Sequence, residues 1–318
     1  MATLTASPST TRTIKTTPKR RGEAMHQTLL SLGILVATGA ILFLAVHGAS
    51  YYTLSLEERP FSPLHSQLRS SGTLGLKLGF ISLGMFAVLF LYPLRKRWKW
   101  LSTIGSTRRW LNFHILFGIA TPLVVTFHTS FKWNGVAGVA YWTMIAVAVS
   151  GFVGRYVYGR IPRGLNAVKL SMEELESQTL ELASRLSEQD FFRPEDLAPL
   201  LNVPASHQVR SMSLVHTLWV MMRMDLARPF QVSRLRRRVL SGPQMITTVG
   251  GLLTSHDPHV EAIVSSIRRQ SRLRTMMAFL DRSERVFQLW HVVHRPFSIT
   301  FVALLVIHIG VALSVGFY

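Results

Sequence analysis

The chain contains no cysteine. That excludes thiolate-held iron–sulfur clusters, CxxCH attachment of c-type haem, cysteine-bound zinc and disulfide bridges. Any metal must be held by histidine, methionine, carboxylate or a bound cofactor. Acidic side chains are scarce, 16 Asp and Glu against 35 Lys and Arg, for a formal charge of +19. The chemistry-bearing motifs of several enzyme classes are missing. There is no glycine fingerprint for a dinucleotide, no P-loop, no zinc spacing, no GxSxG elbow and no HExxH pair. Hydrolysis and direct nucleotide chemistry therefore find no support in the residues.

What is abundant is apolar surface. Hydrophobic residues make up 48% of the chain and the mean hydropathy is +0.27. That is too apolar for one ordinary soluble domain, yet polar stretches remain, so a membrane part and a polar part are expected. Five stretches are long enough to span a bilayer, at about 27–48, 73–94, 112–131, 135–156 and 293–317. The expected fold is all-α, an integral membrane helical bundle of five spans with a helical cytoplasmic insertion between spans four and five. Residues 1–25 read as a disordered basic tail, 26–156 as spans one to four, 157–292 as the cytoplasmic helical domain and 293–318 as span five. The polar start, with Lys19, Arg20 and Arg21, makes the first apolar stretch an expected anchor rather than a cleaved leader.

Loop charge sets the expected orientation. Arg12, Lys15, Lys19, Arg20 and Arg21 precede span one, and Arg95, Lys96, Arg97, Lys99, Arg108 and Arg109 lie between spans two and three. The other side carries only Arg59, Arg69 and Lys132, beside Glu57 and Glu58. The positive-inside bias then puts the N-terminus in the cytoplasm and the C-terminus outside, as in an inner membrane. The insertion holds 18 Lys and Arg against 13 Asp and Glu, by count along 157–292. The segments SMEELESQTLELASRLSEQ and VEAIVSSIRRQSRLRTMMAFLDRSERVFQLW show helical periodicity, with breaks expected at Asn202-Val203-Pro204 and Ser241-Gly242-Pro243.

Two histidine pairs stand out within the spans. His114 and His128 are fourteen residues apart in span three, and His294 and His308 are fourteen apart in span five. At about 100° per residue, fourteen steps return to within roughly 40° of the start, so each pair shares a helix face. At about 1.5 Å per residue the two levels lie roughly 21 Å apart, one for each leaflet. Spans three and five run in the same direction in this topology, which groups His114 with His294 near the cytoplasmic face and His128 with His308 near the outer face. Ionisable residues inside spans are rare and usually functional. Neutral imidazole is a standard axial ligand of haem iron. The expected cofactors are two b-type haems, each held by one pair of histidines, which are also the metal ligands.

Neighbouring residues suit this reading. Gly118 and Thr121 lie on the His114 stripe, and Ser298 and Gly310 lie near the second pair. Haem propionates need cationic partners at the membrane surface. Arg155 and Arg295 are the expected cofactor-binding cations on the inner side, with Arg160, Arg108 and Arg109 nearby and Lys132 on the outer side. Phe117, Phe127, Phe297 and Phe301 could pack on the rings, although core or lipid packing is their ordinary role. The glycines Gly75 and Gly79 of span two read as ordinary small-residue helix packing. His26, His47 and His65 read as interfacial, and His256 and His259 have no partners that would complete a metal site.

His-x13-His on two membrane helices resembles the ligand pattern of bis-haem b cytochromes. Its placement on spans three and five is similar to the transmembrane core of ferric reductases and NADPH oxidases, and more distantly to respiratory cytochrome b. The resemblance covers about half the chain. It implies His114, His128, His294 and His308 as axial ligands. The family's sixth span and flavin-NADPH module have no match among the residues, and the long insertion after span four departs from the family's short loop.

The expected function is transmembrane electron transfer by two b haems, as a cytochrome b subunit of a redox system. The expected partner is a redox protein or a quinone, at an end of the path that the residues do not assign, with no nucleic acid as partner. Two other readings remain at this point. One is a quinol-oxidising membrane subunit of a larger complex. The other is a cofactor-free membrane-anchored scaffold whose basic domain, with Arg234-Leu235-Arg236-Arg237-Arg238, binds partners.

Overall fold

The computed structural model describes residues 18–161, 202–237, 248, 251, 253 and 258–316. Every regular element among the described residues is helical. In chain order these are α1 (Pro18–Tyr52), a 3₁₀ turn (Arg59–Phe61), α2 (His65–Leu68), α3 (Thr73–Arg95), α4 (Lys99–Ser102), α5 (Thr107–His128) and α6 (Gly135–Tyr158). After them come α7 (Ser206–Ser211), α8 (Leu214–Arg237), α9 (Pro258–Ala278) and α10 (Leu280–Ser314). Five helical stretches are long and apolar enough to cross a membrane, Gly22–Tyr52, His65–Arg95, Thr107–His128, Gly135–Tyr158 and Leu280–Ser314. The number matches the sequence expectation, but the last helix begins at Leu280, well before 293. Its early turns carry Asp281, Arg282, Glu284 and Arg285, so hydropathy marks where its apolar part starts and not where the helix starts.

The expected helix at SMEELESQTLELASRLSEQ, the break at Ser241-Gly242-Pro243 and most of the basic tail lie outside the described residues. Asn202-Val203-Pro204 is non-helical, as expected of a break there.

The chain divides into two compact units. The first comprises 1–151 with 297–318, the second 152–296. In the first, α3 packs along α5, and α1 packs on α5 as well. Leu44, Leu78, Val124 and Phe127 form one apolar cluster, and Phe86, Tyr141, Met144 and Phe301 form another. Large side chains such as Leu35, Phe43, Phe80, Phe152 and Val306 face outward from the protein. That is the inverse of a soluble helix surface and suits a lipid solvent.

Two buried arginines close the ends of α5. Arg95 donates to the Thr107 hydroxyl at 2.9 Å and to the carbonyls of Ser102 and Gly105 at 2.7 and 2.8 Å. Arg59 donates to the carbonyls of Leu54, Tyr52 and Ser130 at 3.1, 2.9 and 2.6 Å. Neither makes an ion pair among the described residues. They spend their donors on loop carbonyls that would otherwise be orphaned at a helix end. As loop charges they count toward topology, yet both are buried structural residues, Arg59 6% and Arg95 7% exposed.

The second unit has its own core, Val209, Met221 and Phe279 with Leu218 and Met224 around them. Asp225 is its polar centre. Its carboxylate accepts from the Tyr156 hydroxyl at 2.5 Å and from Arg228 at 2.9 Å, and it pairs with Arg160. Arg228 also donates to the Thr275 hydroxyl at 3.0 Å. Burial draws the Arg228 guanidinium below its ordinary pKa, and the Asp225 charge opposes that shift.

Candidate functional site

The site is built on α5, α3 and the C-terminal half of α10. α5 starts cleanly because the Ser106 side chain accepts from the backbone N–H of Arg109. It then runs unbroken from Thr107 to His128, so His114 and His128 keep the fourteen-residue register on one helix. Immediately after His128 the backbone turns through two left-handed residues, Ser130 (φ 53°) and Phe131 (φ 58°). Left-handed backbone at a non-glycine residue costs about 1–3 kcal/mol and persists only when its surroundings hold it. Here Arg59 donates to the Ser130 carbonyl, and the Ser130 hydroxyl donates to the Leu68 carbonyl at 3.0 Å.

Both histidines of α5 are half-buried and hold a backbone carbonyl of α3. His114 Nδ1 lies 3.0 Å from the Leu89 carbonyl, and His128 Nδ1 lies 2.8 Å from the Gly75 carbonyl. A carbonyl cannot donate, so Nδ1 carries the proton in each case. Nε2 is then left with its lone pair, the form in which imidazole binds a metal. The Tyr92 ring flanks His114 at 5.0 Å.

His308 of α10 faces His128, with ring centres 6.4 Å apart and planes at 79°. An imidazole–metal–imidazole bridge has metal–nitrogen bonds of about 2 Å, with about 1.2 Å more to each ring centre, so its ring centres sit roughly 6.4 Å apart. The ring centres of His128 and His308 stand at that same separation. Among the described residues no group of three or more His, Asp or Glu gathers to hold a bare ion. Two imidazoles alone do not complete a metal site, whereas a porphyrin brings its own four equatorial nitrogens.

Small residues nearby leave room. A β-carbon added to Gly118 would meet nothing closer than Leu89 Cδ1 at 4.0 Å, whereas Gly310, two residues after His308 and so on another face of α10, is exposed at the surface. Thr121, seven residues from either histidine of α5, is fully buried with its hydroxyl unpartnered among the described residues. So is Ser82, seven residues from both Gly75 and Leu89 on α3. The two histidine levels are thus separated, on α5 and on α3, by a buried hydroxyl.

His294 belongs to the second unit. It stacks on Trp290, ring centres 5.0 Å apart at 28°, and Trp290 packs against the bare backbone of Gly154. Arg155 and Arg295 are both exposed and make no ion pair among the described residues. Arg160 is different: it is committed to Asp225 and so is not a free cation.

Other expected residues fall elsewhere. Phe127 and Phe301 are core residues of the two apolar clusters, while Phe297 is exposed. His26 meets Asn112 at 3.2 Å, and His65 meets the Tyr51 hydroxyl at 3.0 Å. Of the basic run, Arg236 is buried, with a two-pronged bond to Glu261 at 2.8 Å and a third to the Gly251 carbonyl. It is not part of a solvated basic stripe; Arg238, His256 and the His259 side chain lie outside the described residues.

No family model, curated protein or solved structure matches this chain. The functional argument therefore rests on the site itself.

Proposed function

We propose that this chain is an integral-membrane b-type cytochrome that carries electrons across the bilayer through two haems. The observation that carries the reading is the outer histidine pair. His128 and His308 face one another at the separation that suits a shared metal, and His128 is fixed through Nδ1 by the Gly75 carbonyl. A b-type haem, when bound, would supply an iron that takes up and releases one electron.

The protein's part is to present those imidazoles. His128 and His308 would hold the outer group. His114 and His294 would hold the inner one, on the strength of the equal fourteen-residue spacing in α5 and α10. The carbonyls of Leu89 and Gly75 draw on the Nδ1 protons and make Nε2 a stronger donor. Two histidines for each group would favour electron transfer over binding of small molecules. Arg155 and Arg295 would receive the propionates on the inner side. The charge of the basic loops supports an N-terminus in the cytoplasm of a cell with an inner membrane, and the stretch 157–292 would dock the redox partner, protein or quinone.

The test is a haem count with a redox spectrum of the purified chain, and removal of the ligands one at a time. His308→Ala is expected to lose one of two haems, the same one lost in His128→Ala. Equal haem content in wild type and both variants would refute the assignment.

A further inference from the structure

The acceptors on α3 repeat the spacing of the donors on α5. Gly75 and Leu89 are fourteen residues apart, like His128 and His114. The match works because one helix offers a carbonyl at each level, and each carbonyl is available for a different reason.

In an α-helix the carbonyl of residue i accepts from the N–H of residue i+4. For Leu89 that residue is Pro93, which lies inside α3 and has no N–H. The Leu89 carbonyl therefore has no partner of its own within the helix. In a bilayer such a freed group must be satisfied by a neighbouring element. His114 Nδ1–H does so at 3.0 Å. At the other level the constraint is space. A β-carbon at Gly79 would lie 2.8 Å from His128 Cε1 and 3.0 Å from Nδ1. Real β-carbons do not approach that closely, so any larger residue pushes the ring off the Gly75 carbonyl. Pro93 and Gly79 are themselves fourteen apart, each four residues beyond the carbonyl it serves.

We infer that Pro93 and Gly79 are the positioning residues for the two α5 ligands. Pro93 exposes the carbonyl that sets the tautomer and rotation of His114, and Gly79 admits His128 to the carbonyl that does the same for it. The inference rests on the haem reading for its consequence, but its structural content, the Nδ1–H form of both rings, stands apart from it. Loss of either bond weakens the imidazole as an electron donor to iron, so the affected group becomes easier to reduce. It also loosens the ligand; partners of this kind are worth roughly 10–100-fold in metal affinity.

The experiment compares Pro93→Ala and Gly79→Ala in the full chain, with Gly84→Ala as control. Gly84 is on the same helix, and a β-carbon there meets nothing within 4 Å. The readouts are the midpoint potential of each haem, the rate of haem transfer to apomyoglobin, and ¹⁵N spectra of labelled histidine in haem-free protein. Pro93→Ala is expected to raise the potential and speed the loss of the inner haem only. Gly79→Ala should do the same to the outer haem only, and Gly84→Ala should do neither. The haem-free protein should show Nδ1-protonated His114 and His128, with the first disturbed by Pro93→Ala and the second by Gly79→Ala. Identical behaviour of all three variants, or equal shifts at both haems, overturns the inference. A wild-type chain that binds no haem but shows the expected tautomer pattern refutes the haem reading alone and leaves the positioning role standing.

Discussion

Arg59 donates to the carbonyl of Ser130 at 2.6 Å, across 71 residues of sequence. This bond ties the first loop to the left-handed turn that directly follows His128. Replacing Arg59 with methionine keeps much of the volume but leaves three carbonyls without their donors. Each unsatisfied buried group costs about 1–3 kcal/mol, so a loss of roughly 3 kcal/mol or more is expected. Thermal unfolding in detergent measures it. The His128 ring should also become more mobile, visible as a change in its ¹⁵N spectrum.

Asp225 stands between two guanidinium groups and a phenol hydroxyl. Asp225→Asn removes the only carboxylate that Arg160 and Arg228 share among the described residues. Breaking a buried pair by removing one partner costs about 3–5 kcal/mol. Limited proteolysis should then cut within 152–296 much faster than in the wild type. An unchanged cleavage rate would show that the network contributes little.

Gly154 is the close approach of α6 to α10. A β-carbon there would overlap Trp290 Cε2. Gly154→Ala must displace the indole, at a cost of about 1–3 kcal/mol for overpacking. Because Trp290 stacks on His294, the tryptophan emission and the environment of His294 should change together. A variant with wild-type emission and stability would contradict the packing.

Thr121 is fully buried with an unpartnered hydroxyl. Thr121→Val keeps its shape and removes the unsatisfied group. Stability should rise, by about 1 kcal/mol, in a melting experiment. A fall in stability would mean that the hydroxyl has a partner in the working protein.

Much of this was legible from residue order, and the limits have physical causes. The five apolar helices follow from hydropathy, because each apolar run is as long as a bilayer-spanning helix needs. The histidine spacing follows from helical period alone. The start of α10 at Leu280 could not be read, since helix propensity continues through charged residues where hydropathy stops. Arg59 and Arg95 looked like surface charges; their burial depends on carbonyls brought together by loops far apart in sequence. The roles of Pro93 and Gly79 left faint signals, a proline inside an apolar helix and a glycine fourteen residues before it. Nothing in the sequence says that Leu89 and Gly75 face histidines, because which helix packs on α5 is a tertiary fact.

The central claim is that the facing imidazoles of His128 and His308 hold a redox-active iron porphyrin, with a second group on His114 and His294. The most direct measurement is a dithionite-reduced minus oxidised absorption spectrum of the purified chain, with a pyridine haemochrome count. The account predicts two b haems per chain, and one in each of His114→Ala, His128→Ala, His294→Ala and His308→Ala. A chain free of haem after expression in haem-replete cells, with these four variants indistinguishable from it, would contradict the account.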